Sequence, residues 1–446
     1  MSWNSYPPPL SAKDPNSFAY PSMKDRVPII LSKIVDHLTR KRDKVMAEYG
    51  GEAGREELKA LIGSLSQLRY EVMTNKPAAP LRDSRVDKSE WNTELENQIE
   101  KASGEEMKWF DSAWLWMECY LYRRIQEAAL MCNLLKNFDV FADQKQAAFS
   151  SSYPAVSSLT MYVLEAGHAI TEFVPENEIQ RYFSEFLQVS LWGNKCDLSI
   201  SGGSENNQVG CPLEQLTKLK PYILLDDTNK IYQILSKVKE AQGGRGGRVD
   251  IVLDNAGFEL VTDLCFADFL MTSGLVSEIH FHAKAIPWFV SDVTQQDFHW
   301  TLKQMSSMNH IAISQLCRRW KRHLQEGQWV LEVNDFWTMP YDYSQMQERN
   351  PSLYDQLSQA NFIIFKGDLN YRKLVGDLQW DTTTDFIYSL RGFSPAPLCS
   401  LRTLKSDVVV GLKLGQAKEV TEKDPNWMIN GEWAVLCVSE GCRTSS

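Results

Sequence analysis

The sequence lacks several features that would place the protein in a membrane or outside the cell. No apolar run approaches the roughly 18 residues that a membrane-spanning helix needs. The first segment, MSWNSYPPPLSAKDP, has neither a basic start nor an apolar stretch, so we expect no secretory signal. Nine cysteines occur without a CxxC pair, which argues against a structural zinc site. We therefore expect reduced, buried thiols in a cytoplasmic or nuclear protein.

The sequence also lacks a surplus of positive charge. Its formal net charge is -10, which argues against binding of nucleic acids or anionic membranes over a broad surface. A local basic pocket is compatible with this charge. Hydrophobic residues make up 43% and charged residues 23%, and this balance is typical of a folded globular protein.

Apolar residues recur with helical spacing through most of the first half of the chain. The clearest segments are EELKALIGSLSQLRYEVM, WLWMECYLYRRIQEAALMCNLL and EIQRYFSEFLQVSLWG. A stretch rich in Gly, Asn and Ser follows, Ser201–Cys211, and is typical of a surface loop. The sequence therefore predicts an N-terminal all-helical domain over residues 1–200.

Beyond residue 215, short β-like runs alternate with helical ones. The β-like runs include PYILLDD, VDIVLD, SEIHFHAK, ANFIIFKGD and EWAVLCV. Such alternation favours right-handed crossovers and a mostly parallel sheet that is covered on both faces. We therefore predict an α/β fold, with a three-layer α/β/α sandwich over residues 215–446 beside the helical domain.

Two polar residues, Asp254 and Asn255, end the apolar run VDIVL. In open α/β sheets, ligands bind beyond the carboxyl ends of the strands. A single aspartate at such a place can simply cap the next helix. Adjacent carboxylate and amide oxygens, however, also suit a hard divalent cation, so both residues are candidate metal ligands.

A second apolar run, IPWFV, ends in Ser291 and Asp292, 38 residues after Asp254. That separation fits one strand, a crossover helix and the next strand. Neighbouring parallel strands would place Asp254 and Asp292 at the same edge of the sheet. Together with Asn255 they would offer three oxygen ligands to Mg²⁺ or Mn²⁺, although Asp292 could also be a plain helix cap.

Two basic clusters follow later in the chain. Lys366 and Gly367 end the run NFIIF and lead into Asp368–Arg372, while Arg402 and Lys405 flank a threonine in LRTLK. A glycine lets the backbone approach an anion, and the cations neutralise phosphate oxygens. Solvated surface turns would give the same pattern without binding anything.

An oxygen-ligand metal site with two basic clusters points to phosphoryl chemistry on a small phosphate ester. Phosphatases that form an aspartyl-phosphate by a DxD motif need a second aspartate, but Ala256 occupies that position. We therefore favour attack by a water molecule that the cation makes more acidic. Asp254 as the nucleophile remains open.

Several of these segments resemble one known family. SLWGNKCDLS, LDNAGFELVTDL, PWFVSDV, FKGDLNYRKL and RTLK are similar to motifs of the damage-control phosphatases, formerly called the domain of unknown function 89 family. The RTxK element resembles the mark of its sugar-phosphate phosphatase subfamily. The resemblance covers nearly the whole chain, and Ala256 stands where relatives often have serine.

The resemblance implies hydrolysis of sugar phosphates, such as fructose 1-phosphate or fructose 6-phosphate, with small phosphorylated metabolites as the partners. It implies Mn²⁺, Mg²⁺, Co²⁺ or Ni²⁺ as the cofactor, held by the catalytic residues Asp254, Asn255 and Asp292. The residues that it implies for substrate binding are Asp254, Asn255, Lys366, Asp368, Leu369, Asn370, Tyr371, Arg372 and Lys405.

Two other functions stay open at this point. The first is a methyltransferase that uses S-adenosylmethionine to modify carboxylates of a protein substrate. In that case Glu259 could bind the ribose hydroxyls of the cofactor, although it is equally a first-turn acid favoured by the helix dipole. The second is a non-catalytic interaction protein built on the helical half, which would leave the polar residues at the strand ends without a purpose.

Overall fold

The computed structural model describes residues 6–171, 174–193, 195 and 212–441, so the predicted loop Ser201–Cys211 lies outside the described residues. The longer helices are α1 Val27–Arg40, α2 Arg42–Glu48, α3 Glu52–Met73, α4 Lys88–Lys101, α5 Trp114–Leu130, α6 Ala142–Ser151, α7 Tyr153–Thr171, α8 Glu176–Leu191, α9 Pro212–Leu219, α10 Thr228–Ala241, α11 Phe258–Thr272, α12 Gln295–Ser307, α13 Ile311–Gln325, α14 Pro351–Ser358, α15 Gly367–Val375 and α16 Gln416–Lys423. Shorter helical turns cover Ala19–Pro21, Ser22–Arg26, Lys220–Tyr222, Asp335–Thr338, Tyr343–Gln345, Met346–Arg349 and Phe386–Ser389.

The helices form where the apolar spacing predicts them, and their burial follows their composition. In α3 the leucines at positions 58, 61, 65 and 68 are buried on one face, as the helical period requires. The helix α5 is buried around most of its circumference, and its buried residues include the charged Glu118, Arg123 and Glu127. It is therefore the central helix of the N-terminal half.

In the described residues of the second half, a sheet of seven strands forms the middle layer. The strands are β1 Ile223–Asp226, β2 Gly247–Val252, β3 Val276–Ala283, β4 Trp329–Val333, β5 Phe362–Lys366, β6 Leu398–Thr403 and β7 Ala434–Ser439. Their order is β1-β7-β6-β5-β2-β3-β4. Among the pairs of these described strands, β6–β7 is antiparallel and the others are parallel. The predicted α/β fold with a mostly parallel sheet is confirmed, and β4 and β6 add to the strands that the sequence indicated.

Helices cover both faces of the sheet and create two hydrophobic cores. On one face, Val252 and Phe365 belong to the core that contains α1, α3 and α5. On the other face, Ile251 and Ile364 belong to the core that contains α7, α8, α11 and α13. Helices from before residue 200 thus contribute to both cores, and the three layers are confirmed. The domain limits 1–200 and 215–446 stay a prediction.

Two further expectations concern membranes and thiols. Along the described residues, no helix is both long enough and apolar enough to cross a membrane. The cysteines in the described ranges are buried with free thiols, and they are Cys119, Cys132, Cys265, Cys317, Cys399 and Cys437. Their burial agrees with the reduced state that the sequence indicates.

Candidate active site

Asp254 and Asp292 come together although only one of them follows a strand directly. Asp254 lies two residues beyond the end of β2, whereas β3 ends at Ala283 and a loop then leads to Asp292. This loop folds back, so that Asn255 and Asp292 form an isolated antiparallel bridge. The two aspartates are thus close, as the spacing predicted, but the predicted reason is wrong, because Asp292 lies on a returning loop and not at the end of a neighbouring strand.

Main-chain hydrogen bonds hold the returning loop against the end of β2. The amide of Ala256 donates to the carbonyl oxygen of Ser291 at 2.7 Å, and the amide of Val293 donates to that of Asp254 at 2.8 Å. Asp254 and Asp292 are 9% and 2% exposed. Their carboxylates are therefore buried within one small, main-chain-defined region.

The loop reaches this position through a strained turn. Phe289 and Val290 have φ angles of 43° and 71°, in the left-handed region that β-branched side chains avoid. The Phe289 ring stacks on Tyr122 of α5 with ring centroids 4.6 Å apart, and Trp288 is fully buried. Because this packing fixes the turn, the strain is retained next to Ser291 and Asp292, as is common at functional sites.

Asn255 connects the side chains at this point. Its Nδ2 donates to Asp254 Oδ2 and to Glu259 Oε2, each at 2.8 Å. Its Oδ1 accepts a hydrogen bond from Ser291 Oγ at 2.5 Å. Asn255 therefore orients the Asp254 carboxylate and links it to the first turn of α11 and to the returning loop.

The carboxylates of the site have too little positive charge nearby to balance their own negative charge. Burial, together with the charges of Glu259 and Asp292, raises the pKa of Asp254 well above its usual range. Burial also raises the pKa of Asp292 to about 6, although the Lys284 ammonium opposes this shift. A bound cation would favour the charged form of both aspartates.

The donor set fits a hard divalent cation. The Oδ2 atom of Asp292 is buried without a well-aligned hydrogen bond. Within the described ranges, no group of three or more His, Cys, Asp or Glu side chains is arranged as a metal site. The set consists instead of two carboxylates and the Asn255 amide, and Mg²⁺ and Mn²⁺ prefer such oxygen ligands. Asp254, Asn255 and Asp292 could therefore hold the ion, and its binding stays a prediction.

The sequence reasoning missed Lys284, which is 2% exposed. Its Nζ donates to the Leu253 carbonyl oxygen at 2.7 Å and lies 3.3 Å from Asp292 Oδ2. The sequence does contain a signal for Lys284, because this lysine directly follows β3. A polar residue at the end of a β-like run is the same pattern that identified Asp254.

The start of α15 lies directly against Asp254. Gly367 has a φ of +86°, and a Cβ at this position would lie 2.0 Å from Asp254 Oδ2. Only glycine fits both the left-handed backbone and this contact. The N-terminus of a nine-residue helix is thus placed beside the candidate metal ligands.

Lys366 is buried in an ion-pair cluster and is not presented to solvent. Its Nζ donates to Asp263 Oδ1 at 2.6 Å and to Ser190 Oγ at 2.9 Å, and it lies 3.5 Å from Glu259 Oε1. Burial alone would lower the pKa of Lys366, but the charges of Asp263 and Glu259 outweigh burial and raise it. Lys366 thereby ties the C-terminal end of α8 to α11 and β5.

Asp368 accepts hydrogen bonds from residues of the RTxK element. Arg402 Nε donates to Asp368 Oδ1 at 2.8 Å, and the Lys405 amide donates to the same atom at 3.0 Å. Arg402 is fully buried, and its guanidinium lies over the Tyr371 ring at 4.1 Å. The Tyr371 hydroxyl accepts from the Val410 amide at 3.0 Å. These side chains fix the position of α15 against the loop after β6.

The remaining predicted residues of α15 point into the protein. Asn370 Nδ2 donates to the Lys366 carbonyl oxygen at 2.7 Å, and Leu369 is 5% exposed. Arg372 donates to Asp377 and to Glu118 of α5 at 2.9 and 2.6 Å. The structure therefore does not bring the Arg372 guanidinium to the pair of aspartates, and a substrate contact by these side chains stays a prediction.

Lys405 differs from the other predicted cations because it is partly exposed. Within the described part of the chain, no hydrogen bond or ion pair engages its ammonium. Its charge is nevertheless close enough to act on Asp254, whose pKa it lowers against the larger effects of burial and Glu259. Lys405 is thus a partly exposed cation whose charge acts on Asp254.

Comparison with known proteins assigns the chain to a family. Residues 22–420 match the model of the damage-control phosphatase ARMT1-like domain. The chain belongs to this family. It is 48% identical to the damage-control phosphatase ARMT1 of Danio rerio, over 96% of both chains. The ARMT1 proteins of Mus musculus and Homo sapiens are 46% and 43% identical, over 96% of this chain and 97% and 98% of theirs.

Among solved structures, the chain is similar to a DUF89-family protein of Pyrococcus horikoshii. The two share 14% sequence identity with a TM-score of 0.42, over 86% of this chain and 98% of the other. The match of the damage-control phosphatase family confirms the resemblance that the motifs around Asp254, Asp292 and Lys405 indicate.

Replacement of Gly367 by alanine tests the close contact with Asp254. Gly415→Ala is the matched control, because Gly415 has nearly the same φ, +85°, but open space where the Cβ would go. Both variants acquire the strain of a left-handed alanine, about 1 kcal/mol. Only Gly367→Ala also forces a collision, so we expect it to lose about 2 kcal/mol more in urea unfolding. Equal losses of unfolding free energy in the two variants would contradict the close contact between Gly367 and Asp254.

Replacement of Asp292 by asparagine tests the raised pKa in the metal-free protein. Below pH about 4 the carboxyl is protonated in both the folded and the unfolded state, so it does not affect stability. Between pH about 4 and the folded pKa of about 6, the carboxyl ionises in the unfolded state but stays protonated in the folded state, so the free energy of unfolding falls by up to about 3 kcal/mol and then levels off. The wild type should therefore lose stability relative to Asp292→Asn between pH 4 and 7, measured by urea unfolding with a chelator present. If the difference in unfolding free energy between the two proteins is the same at every pH from 4 to 7, the pKa of Asp292 is not raised.

Proposed function

We propose that the protein is a divalent-metal-dependent phosphatase that hydrolyses sugar phosphates, with fructose 1-phosphate and fructose 6-phosphate as candidate substrates. Membership of the damage-control phosphatase family supports the phosphatase activity. The observation that carries the metal dependence is the convergence of Asp254, Asn255 and Asp292 at one edge of the sheet. The choice of sugar phosphates as candidate substrates is inferred from the RTxK element that ends in Lys405.

In this proposal Asp254, Asn255 and Asp292 would hold Mn²⁺ or Mg²⁺, with Co²⁺ or Ni²⁺ as further candidates. A bound dication would polarise a phosphoryl oxygen and make a coordinated water more acidic. Asn255 fixes the rotation of the Asp254 carboxylate by donating a hydrogen bond to it at 2.8 Å. The Asp254 carboxylate would therefore be oriented before an ion binds, which would reduce the cost of organising the site.

Two features would accommodate the phosphoryl group of the substrate. The N-terminus of α15 begins beside Asp254 at Gly367, and helix N-termini favour anions through their free N–H groups and their dipole. The partly exposed ammonium of Lys405 adds a full positive charge close to Asp254. Both features support an anionic substrate positioned next to the aspartates.

The nucleophile is most simply a water molecule. The residue two positions after Asp254 is Ala256, so no aspartate is present there to protonate the leaving group of a covalent reaction. Direct attack by water avoids that requirement. A covalent route through Asp254 remains a distinct outcome, which trapping of a phosphorylated protein would reveal.

The methyltransferase alternative has less support from the contacts of the described residues. Glu259, which would bind the ribose of S-adenosylmethionine, is 6% exposed and accepts a hydrogen bond from Asn255. It also lies 3.5 Å from the Lys366 ammonium. Thermal unfolding with Mn²⁺ and with S-adenosylmethionine separates the two functions, since a ligand stabilises the protein that binds it. Stabilisation by S-adenosylmethionine alone would favour methyl transfer.

A screen of sugar phosphates with Mg²⁺, Mn²⁺, Co²⁺ and Ni²⁺ tests the proposal, with the Asp254→Asn variant assayed in parallel. We expect wild-type phosphate release that stops when a chelator is added. Asp254→Asn should lose at least about a hundredfold in kcat while remaining folded, because it removes a charged ligand from a metal site. The exposed Asp355→Asn substitution serves as the control. Full activity of Asp254→Asn would refute the assignment.

Replacement of Lys405 by alanine tests the substrate side of the site. If Lys405 contacts the phosphate equally in the ground state and the transition state, KM rises about tenfold and kcat stays nearly unchanged. Lys413→Ala removes an exposed lysine and should leave both constants unaltered. Steady-state kinetics with fructose 1-phosphate provide the measurement, and an unchanged KM in Lys405→Ala would remove this residue from the substrate site.

A further inference from the structure

Lys284 connects the two segments that carry the candidate metal ligands. Its amide donates to the Val293 carbonyl oxygen at 2.8 Å, and its Nζ donates to the Leu253 carbonyl oxygen at 2.7 Å. The same Nζ lies 3.3 Å from Asp292 Oδ2. Lys284 therefore joins the end of β3 both to the residue before Asp254 and to the returning loop.

The charge of Lys284 is buried together with the carboxylates. Only 2% of the residue is exposed, and its ammonium opposes the effect of burial on both Asp254 and Asp292. A charge interaction is strong where water is excluded, and an unpaired carboxylate is costly there. Without a dication, Lys284 is the closest described cation to Asp292 and offsets part of this cost.

A dication at this site would meet the same ammonium at short range. An ion that shares the Asp292 carboxylate with Lys284 Nζ is repelled by it, because both are positive and only a carboxylate group separates them. Lys284 thus favours the metal-free state of the site more than the metal-bound state. Its two effects, stability without metal and weaker metal binding, have one physical cause.

We propose that Lys284 is the resident counter-cation of the site: it holds Asp292 and the end of β2 together when no dication is bound, and its charge weakens dication binding. This inference rests on the proposed metal dependence. Lys284 is a positioning residue, because its ammonium contacts Leu253 and Asp292 and is shielded from solvent. By linkage, a charge that stabilises the metal-free form preferentially must raise the dissociation constant of the metal.

Three substitutions separate the charge of Lys284 from its hydrogen bond and its bulk. Lys284→Met removes the charge and keeps most of the length of the side chain. Lys284→Gln keeps a donor for the Leu253 carbonyl oxygen but is neutral. Lys284→Arg keeps the positive charge, so it shows whether charge alone restores the wild-type behaviour. Each is compared with the wild type and with Asp254→Asn.

The measurements are the Tm with and without Mn²⁺ and the Kd for Mn²⁺ by titration calorimetry. We expect Lys284→Met and Lys284→Gln to have a lower Tm than the wild type without metal and a larger rise in Tm with Mn²⁺. Their Kd for Mn²⁺ should fall by about tenfold or more, because the repulsive charge is gone. Lys284→Arg should retain the Kd of the wild type within about threefold.

Equal losses of Tm with and without Mn²⁺ in the neutral variants, or a Kd that rises, would overturn the proposal and leave Lys284 a structural residue. If Lys284→Met is recovered folded only when Mn²⁺ is present, that result supports the proposal, and Lys284→Gln supplies the Kd. A wild type that Mn²⁺ does not stabilise would overturn the metal dependence itself. A wild type that responds to Mn²⁺, with unaltered neutral variants, would overturn the role of Lys284 alone.

Discussion

The backbone pairing of residues 291–293 with residues 254–256 is the interaction on which the candidate site depends. Two main-chain hydrogen bonds, of 2.7 and 2.8 Å, place Asp254 and Asp292 together independently of their side-chain conformations. This pairing requires left-handed backbone at Phe289 and Val290, which costs free energy. The stacking of Phe289 on Tyr122 offsets this strain, so the helical layer helps to hold the loop.

The pairing also buries negatively charged side chains close together, and lysines of the surrounding layers offset part of that charge. Lys366 neutralises Asp263 and lies near Glu259 on one side, while Lys284 offsets Asp292 on the other. The pKa of Asp292 is nevertheless raised to about 6 by burial, so the described cations do not fully balance the cluster. A dication is the simplest group that would complete the balance, and it could also stabilise the negative charge of a phosphoryl group.

The sequence predicted the layers and the main candidate ligands because their signals are local. Asp254 follows an apolar run that is buried on both faces of the sheet, and that pattern is readable without coordinates. The path of the loop to Asp292 was not readable, since it depends on a left-handed turn and long-range hydrogen bonds. Composition likewise could not show that Arg372 pairs with Asp377 and Glu118 inside the protein, because ion pairing depends on which helices meet.

The most direct test of the account is an anomalous-scattering crystal structure of the protein with Mn²⁺ bound. The account predicts one strong peak at coordination distance, about 2.0–2.3 Å, from side-chain oxygens of Asp254, Asn255 and Asp292. A Mn²⁺ peak bound elsewhere, or these side chains turned away from one another at full Mn²⁺ concentration, would contradict it.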